Sequence, residues 1–150
     1  MNTVQIIAFT HRQFNFDEIG LFHLDDKQRI DILTNLKTNL DIDELMYLST
    51  CNRVEFIVSH EKKITKIFVE KLIKQLLADQ LPANLKDIVD RAEIINSKAA
   101  VHHIFSVASS IDSLVVGERE IITQVRKAFE ECRENNLCGD VIRVLVQSTI

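Results

Sequence analysis

Glycine and proline are scarce in this chain, with 3 Gly and 1 Pro in 150 residues. Gly20, Gly117 and Gly139 stand far apart, so neither a G-x-G-x-x-G fingerprint nor a P-loop can be written anywhere, and the chain has no standard nucleotide cradle. Tryptophan is absent and a single Tyr accompanies 8 Phe. That is a thin supply of the stacking aromatics an RNA-reading sheet displays. The apolar runs are short and broken by charge, which excludes a membrane span. The start MNTVQIIAFTHR lacks the basic segment and long apolar stretch of a secretory leader, so a cytoplasmic location is expected. Positive charge is not in excess either. With 18 Lys+Arg against 22 Asp+Glu the net charge is −4, which excludes a nucleic-acid binder of the generally basic kind. Cys51, Cys132 and Cys138 are odd in number, and no His, Cys or acid cluster has metal-ligand spacing, so free thiols and no metal site are expected.

What remains is 46% hydrophobic and 27% charged, the balance of one compact domain with its own core. Residues 4–9, VQIIAF, read as a first strand, followed by a less regular stretch from Thr10 to Leu24. From Asp25 or Asp26 an amphipathic helix carries Ile30, Leu33, Leu36 and Leu40. Residues 44–49 and 53–58 are β-prone runs separated by Thr50, Cys51 and Asn52, the spacing of a tight hairpin. A second helix spans Glu61 to Ala78 and ends around Pro82. Its Lys62, Lys63, Lys66, Lys71 and Lys74, with Glu61 and Glu70 among them, read either as a solvated face or as a phosphate contact. Ala92 to Asn96 forms a last strand, and Ser97 is expected to N-cap a third helix bearing Val101, Ile104, Phe105 and Ala108.

The order β, α, β, β, α, β predicts an α+β fold, the ferredoxin-like split βαβ plan of an antiparallel sheet with helices on one face. Additional C-terminal helices follow: Glu118 to Glu134 reads as one long helix, and a new apolar pattern begins after Gly139. That pattern stops without a cap, which predicts that residues 1–150 are a piece of a longer protein.

Chemistry concentrates at the hairpin. Cys51 lies at its turn, and Arg53 and Glu55 follow at period two on one strand face, placing a thiol, a cation and a carboxylate together. A guanidinium nearby favours the thiolate and also suits a substrate carboxylate, although a lone cysteine is commonly just a small core residue. Cys132 reads as core and Cys138 as incidental. His102 and His103 point about 100° apart on a helix, so one of them at most faces a given site. Ser110, Asp112, Ser113 and Gly117 suit a helix cap, an anion-binding loop, or both. His11, His23 and His60 fall in loops or at element ends and receive no role.

The runs LSTCNRVE (48–55) and AVHHIFSVASSIDSLVVGEREIITQVRKAF (100–129) together resemble the N-terminal catalytic domain of the glutamyl-tRNA reductase family, in order along essentially the whole chain. The resemblance implies that Cys51 attacks the ester carbonyl of glutamyl-tRNA, releases the tRNA and holds the glutamyl group as a thioester. NADPH, bound by a domain absent from this chain, then reduces it to glutamate-1-semialdehyde, the first step of tetrapyrrole (porphyrin) synthesis. It further implies His103 rather than His102 as the active-site histidine, and substrate contacts from Thr50, Asn52, Arg53, Glu55, Ser113, Glu118, Arg119, Glu120 and Gln124, with Arg53 on the glutamate carboxylate and Glu55 on its amino group. A homodimeric full-length protein and glutamate-1-semialdehyde aminotransferase as a partner belong to the same expectation. Departures exist: His102 stands where Arg is common, Ser110 and Thr123 where Gly is common, and Arg119-Glu120 where Pro-Gln is frequent, while IIAFTHRQFNFDEIG differs from the family's usual opening. Two rival readings are a ferredoxin-like RNA- or protein-binding module without chemistry and a thiol hydrolase using Cys51 and His103.

Overall fold

The structure, a computed structural model, describes residues 3–108 and 120–149. Four strands, β1 (Thr3–Thr10), β2 (Glu44–Thr50), β3 (Arg53–His60) and β4 (Glu93–Asn96), form one antiparallel sheet in the order β2-β3-β1-β4. This is the split βαβ arrangement that the element order predicts. Every residue of β3 is buried, so this central strand is covered on both faces, and continuous burial rather than alternation is its signature.

Two of the expected helices are present, α2 (Arg29–Asn39) and α3 (Lys66–Leu76), but each begins later than the apolar pattern predicts, and Glu61, Lys62 and Lys63 precede α3 because Thr65 caps it, its hydroxyl accepting from the Phe68 N–H. Two further short helices, α1 (Phe16–Gly20) and α4 (Leu85–Arg91), occupy segments without a strong periodic signal. Asn15 starts α1 through a capping box, its side chain accepting from the Glu18 N–H at 2.8 Å while Glu18 accepts from the Asn15 N–H at 3.0 Å. Arg91 of α4 lies 4.6 Å over the Phe14 ring and pairs with Glu18, which ties the segment after β1 to α4.

The third expected helix is α5 (Ser97–Ala108). Ser97 is not an extended cap in front of it but its first residue, at a left-handed φ of 52°, because β4 turns into α5 with no linker between them. Two C-terminal helices follow, α6 (Glu120–Glu134) and α7 (Asp140–Thr149). At the outer edge of β2, the Leu45 N–H donates to the Leu137 carbonyl at 2.8 Å and the Cys132 thiol donates to the Leu45 carbonyl at 3.1 Å, so the edge is covered rather than left open to pairing. Glu44, buried at the start of β2, caps α7 by accepting from the N–H groups of Gly139, Val141 and Ile142 at 2.7, 3.2 and 3.0 Å.

Residues opposite one another in an antiparallel pair share a face. The register therefore puts Ile7, Tyr47 and Phe56 on one face, with Phe9 and Val54 beside them, and Thr10, Thr50, Arg53 and Glu55 on the other. Phe9 stacks on Phe22 at 3.9 Å and meets Phe56 edge-on at 6.3 Å, forming an aromatic core under the segment from His11 to Leu24. Each such fully buried ring or aliphatic side chain contributes roughly 1.5–3 kcal/mol relative to exposure. Among the described residues no helix is long and apolar enough to cross a membrane.

Candidate active site

The β2–β3 hairpin turns through Cys51 and Asn52. Cys51 is exposed and free, while Asn52 is buried and Arg53, the first residue of β3, is 1% exposed. The turn is held from within by the Asn52 N–H donating to the Thr50 hydroxyl at 3.2 Å, and the Cys51 thiol lies 3.5 Å from the Asn52 amide oxygen. It is also held from outside. The His11 N–H, just beyond the end of β1, donates to the Asn52 carbonyl at 3.1 Å, and the His23 ring reaches the Thr50 carbonyl at 3.1 Å.

Directly behind the turn lies a buried charge chain. Arg53 Nη1 donates to Glu55 Oε2 at 2.8 Å, and Glu55 Oε1 lies 2.8 Å from His103 Nε2 on α5, with side chains 1%, 0% and 12% exposed. Burial alone would push the Glu55 carboxyl up, but the hydrogen bond and charge of His103 and then the Arg53 guanidinium outweigh it and hold the group below its ordinary range. Glu55 is therefore an ionised acceptor at neutral pH, so His103 donates to it from Nε2. That leaves His103 Nδ1 as the ring position free to accept or pass on a proton. His102, exposed on the next helical position, has no part in this chain. Burying an ion pair offers little stability over well-packed apolar side chains, so three ionisable groups sunk behind an exposed thiol point to function.

His103 also lines a cleft of about 340 Å³ together with Arg12, Glu93, His102 and Ser106. Its size falls in the range of small-molecule sites. Across the hairpin, beside Ser49, a second hollow of about 160 Å³ is bordered by Arg29, Tyr47, Gln124, Lys127 and Glu131, and the Gln124 amide oxygen is buried there without a hydrogen-bond partner.

The structure thus joins His103 through Glu55 to Arg53, the residue that follows the Thr50-Cys51-Asn52 turn, and places Gln124 in the neighbouring hollow. Glu120 is the first residue of α6, and Ser110, Asp112, Ser113, Gly117, Glu118 and Arg119 lie outside the described residues. Arg53, expected to grip a substrate carboxylate, is closed off and ion-paired to Glu55, and both Glu55 oxygens, expected to meet a substrate amino group, are engaged inside the protein. Cys132 is core as expected, and burial raises its thiol far above the ordinary range. Among the described residues no three His, Cys, Asp or Glu side chains are grouped to hold a metal.

Sequence reasoning missed His11 and His23, the two contacts that hold the turn from outside. The signal for His11 is non-local: the pairing Thr10↔Arg53 carries the chain directly to Asn52. The His11 imidazole is lowered from its ordinary 6.5 by burial first and then by Arg53 and Arg12, against a contribution from the Asn52 carbonyl, and its Nδ1 is buried without a partner. It is a neutral ring at neutral pH.

Residues 7–150 match the family described as glutamyl-tRNA(Glu) reductase, N-terminal domain. The chain belongs to this family. It is 36% identical over 137 residues to the glutamyl-tRNA reductase of Nitratiruptor sp., covering 89% of this chain and 31% of that protein. It is likewise 36% identical over 145 residues to the one from Campylobacter concisus, covering 93% and 32%. The chain therefore spans about a third of the length of these relatives. Among solved structures, glutamyl-tRNA reductase from Methanopyrus kandleri superimposes with a TM-score of 0.73 over 99% of this chain and 33% of that one, at 21% identity, a likeness of fold.

Proposed function

We propose that this chain is the acyl-accepting domain of a glutamyl-tRNA reductase, with Cys51 as the nucleophile. In this reading the Cys51 thiolate attacks the ester carbonyl carbon of glutamyl-tRNA. A carbon–sulfur bond forms, the ester carbon–oxygen bond breaks, and the terminal ribose hydroxyl of the tRNA leaves with a proton. His103, oriented by Glu55 through Nε2, is the group that handles that proton at Nδ1. Thr50 and Asn52 hold the turn, Arg53 holds the Glu55 carboxylate from inside the protein, and Gln124 offers an unpartnered acceptor beside the hairpin. Ser113, Glu118, Arg119 and Glu120 are assigned to the substrate in the same reading. The observation that carries it is an exposed thiol two residues ahead of Arg53 and the buried Arg53–Glu55–His103 chain.

Reduction with NADPH to the semialdehyde belongs to the longer protein. The residues of this chain do not fit that cofactor, because the isolated Gly20, Gly117 and Gly139 build no glycine-rich phosphate turn, and no hydride step is assigned to them. The homodimer, the aminotransferase partner and a cytoplasmic location belong to the same proposal. A sheet-face RNA-binding module is disfavoured because both faces of β3 are covered.

The test is to mix the chain with tRNA charged with labelled glutamate. Label is expected to become protein-bound as uncharged tRNA is released, Cys51→Ser is expected to take up none, and added NADPH is expected to yield no aldehyde. Rapid ester cleavage by wild type and Cys51→Ser alike, with no bound label, defeats the proposal.

A further inference from the structure

The segment between β1 and α2 does more than connect them. Phe22 is fully buried and stacked on Phe9 at 3.9 Å, and its carbonyl accepts from the Tyr47 hydroxyl at 2.8 Å. Two residues later the Leu24 N–H donates to the same Tyr47 oxygen at 3.0 Å. The backbone on both sides of His23 is thus pinned to one core tyrosine of β2. His23 itself is exposed, so no packing requirement explains an imidazole there, yet its Nε2 lies 3.1 Å from the Thr50 carbonyl. A carbonyl only accepts, so Nε2 carries the proton. Thr50 in turn fixes the turn through its hydroxyl, which takes the Asn52 N–H at 3.2 Å.

We propose that His23 is a positioning residue for the Cys51 nucleophile, a tether running from the Tyr47-anchored segment to the Thr50 carbonyl that sets the turn presenting the thiol. This rests on the reading of Cys51 as acyl acceptor. A nucleophile must meet a carbonyl carbon at a defined distance and angle, and a displacement of about 1 Å is enough to slow such a step on the order of 100-fold. The two ends of the turn are held by different means: the Asn52 carbonyl by the backbone N–H of His11, which any residue but proline could supply, and the Thr50 carbonyl by a side chain, which substitution can remove. That asymmetry makes the tether testable.

The experiment compares wild type, His23→Leu and His23→Gln, since a glutamine amide nitrogen reaches about as far as imidazole Nε2. In His23→Leu the maximal rate of Cys51 acylation by glutamyl-tRNA is expected to fall about tenfold with the half-saturating concentration changed less than about twofold. Amide exchange at Asn52 is expected to accelerate while exchange in the β1–β3 ladder stays unchanged. His23→Gln is expected to restore both. Wild-type acylation and exchange in His23→Leu overturn the inference, as does a Gln variant as impaired as Leu. If wild type forms no acyl adduct, the proposed function fails on its own, and Asn52 exchange alone decides the tether: faster in Leu and restored in Gln supports it, unchanged overturns it.

Discussion

The two faces of the sheet at the hairpin are built from the same three strands, β1, β2 and β3, and do opposite work. On one, Phe9, Val54, Tyr47 and Phe56 pack with Phe22 into an aromatic core. On the other, one residue out of phase, lie Thr10, Thr50, Arg53 and Glu55, and Glu55 meets His103. The first face removes apolar area from water and is the kind of surface on which stability rests. The second removes charge from water, and an ion pair there offers no clear stability over hydrophobic residues of the same volume. The alternation of a strand keeps the two functions apart within four consecutive residues, 53–56, so each can be perturbed separately.

The largest separation is expected from His103→Ala. Loss of a positioned proton-handling group is expected to slow Cys51 acylation on the order of 10²–10⁴-fold, while thermal unfolding shows the folded domain intact, because His103 sits at the margin of the buried chain. Phe56→Ala on the opposite face is expected to lower the unfolding free energy by about 3–5 kcal/mol in a urea titration, with the acylation rate per folded molecule unchanged. Glu55→Leu removes a partner of the buried Arg53 guanidinium and is expected to lose a comparable 3–5 kcal/mol or so, but here the rate per folded molecule falls as well. Equal rates in the Phe56 and Glu55 variants would erase the distinction between the faces.

The smallest effect is in acid. Glu55 is held below its ordinary range, against its own burial, by His103 and Arg53. Glu18 is lowered from an ordinary 4.5 to about 2, by the Arg91 hydrogen bond first and the Asn15 backbone second. A carboxyl whose folded pKa lies below its unfolded one stabilises the fold above the unfolded value, and that contribution disappears as pH falls through the folded one. Urea midpoints are therefore expected to drop between about pH 4.5 and 2. Glu18→Gln is expected to make that drop shallower without touching acylation at neutral pH, since Glu18 secures α1 and α4 rather than the charged face.

Much of this was legible because it is local. Two β-prone runs around Thr50-Cys51-Asn52 specify the hairpin, and period two puts Arg53 and Glu55 on one face. Local pattern could not choose between His102 and His103, because helical geometry says only that they diverge; the choice came from resemblance, and the structure has His103 bound to Glu55. α1 and α4 escaped because helices of 5 and 7 residues are too short to show a period, although Asn15 and Glu18 do carry a capping box. The burial of Arg53 and the two histidine contacts to the turn were not legible, since they arise where β1, the segment after it and α5 converge on the hairpin from far away in sequence.

Where the glutamyl group goes decides the role of Cys51 most directly. Peptide mapping by mass spectrometry after brief exposure to glutamyl-tRNA is predicted to find one hydroxylamine-labile glutamyl adduct, on the peptide containing Cys51. Finding that adduct on Cys132 or Cys138 instead, or no thiol-bound glutamyl group while the ester is consumed, would contradict it.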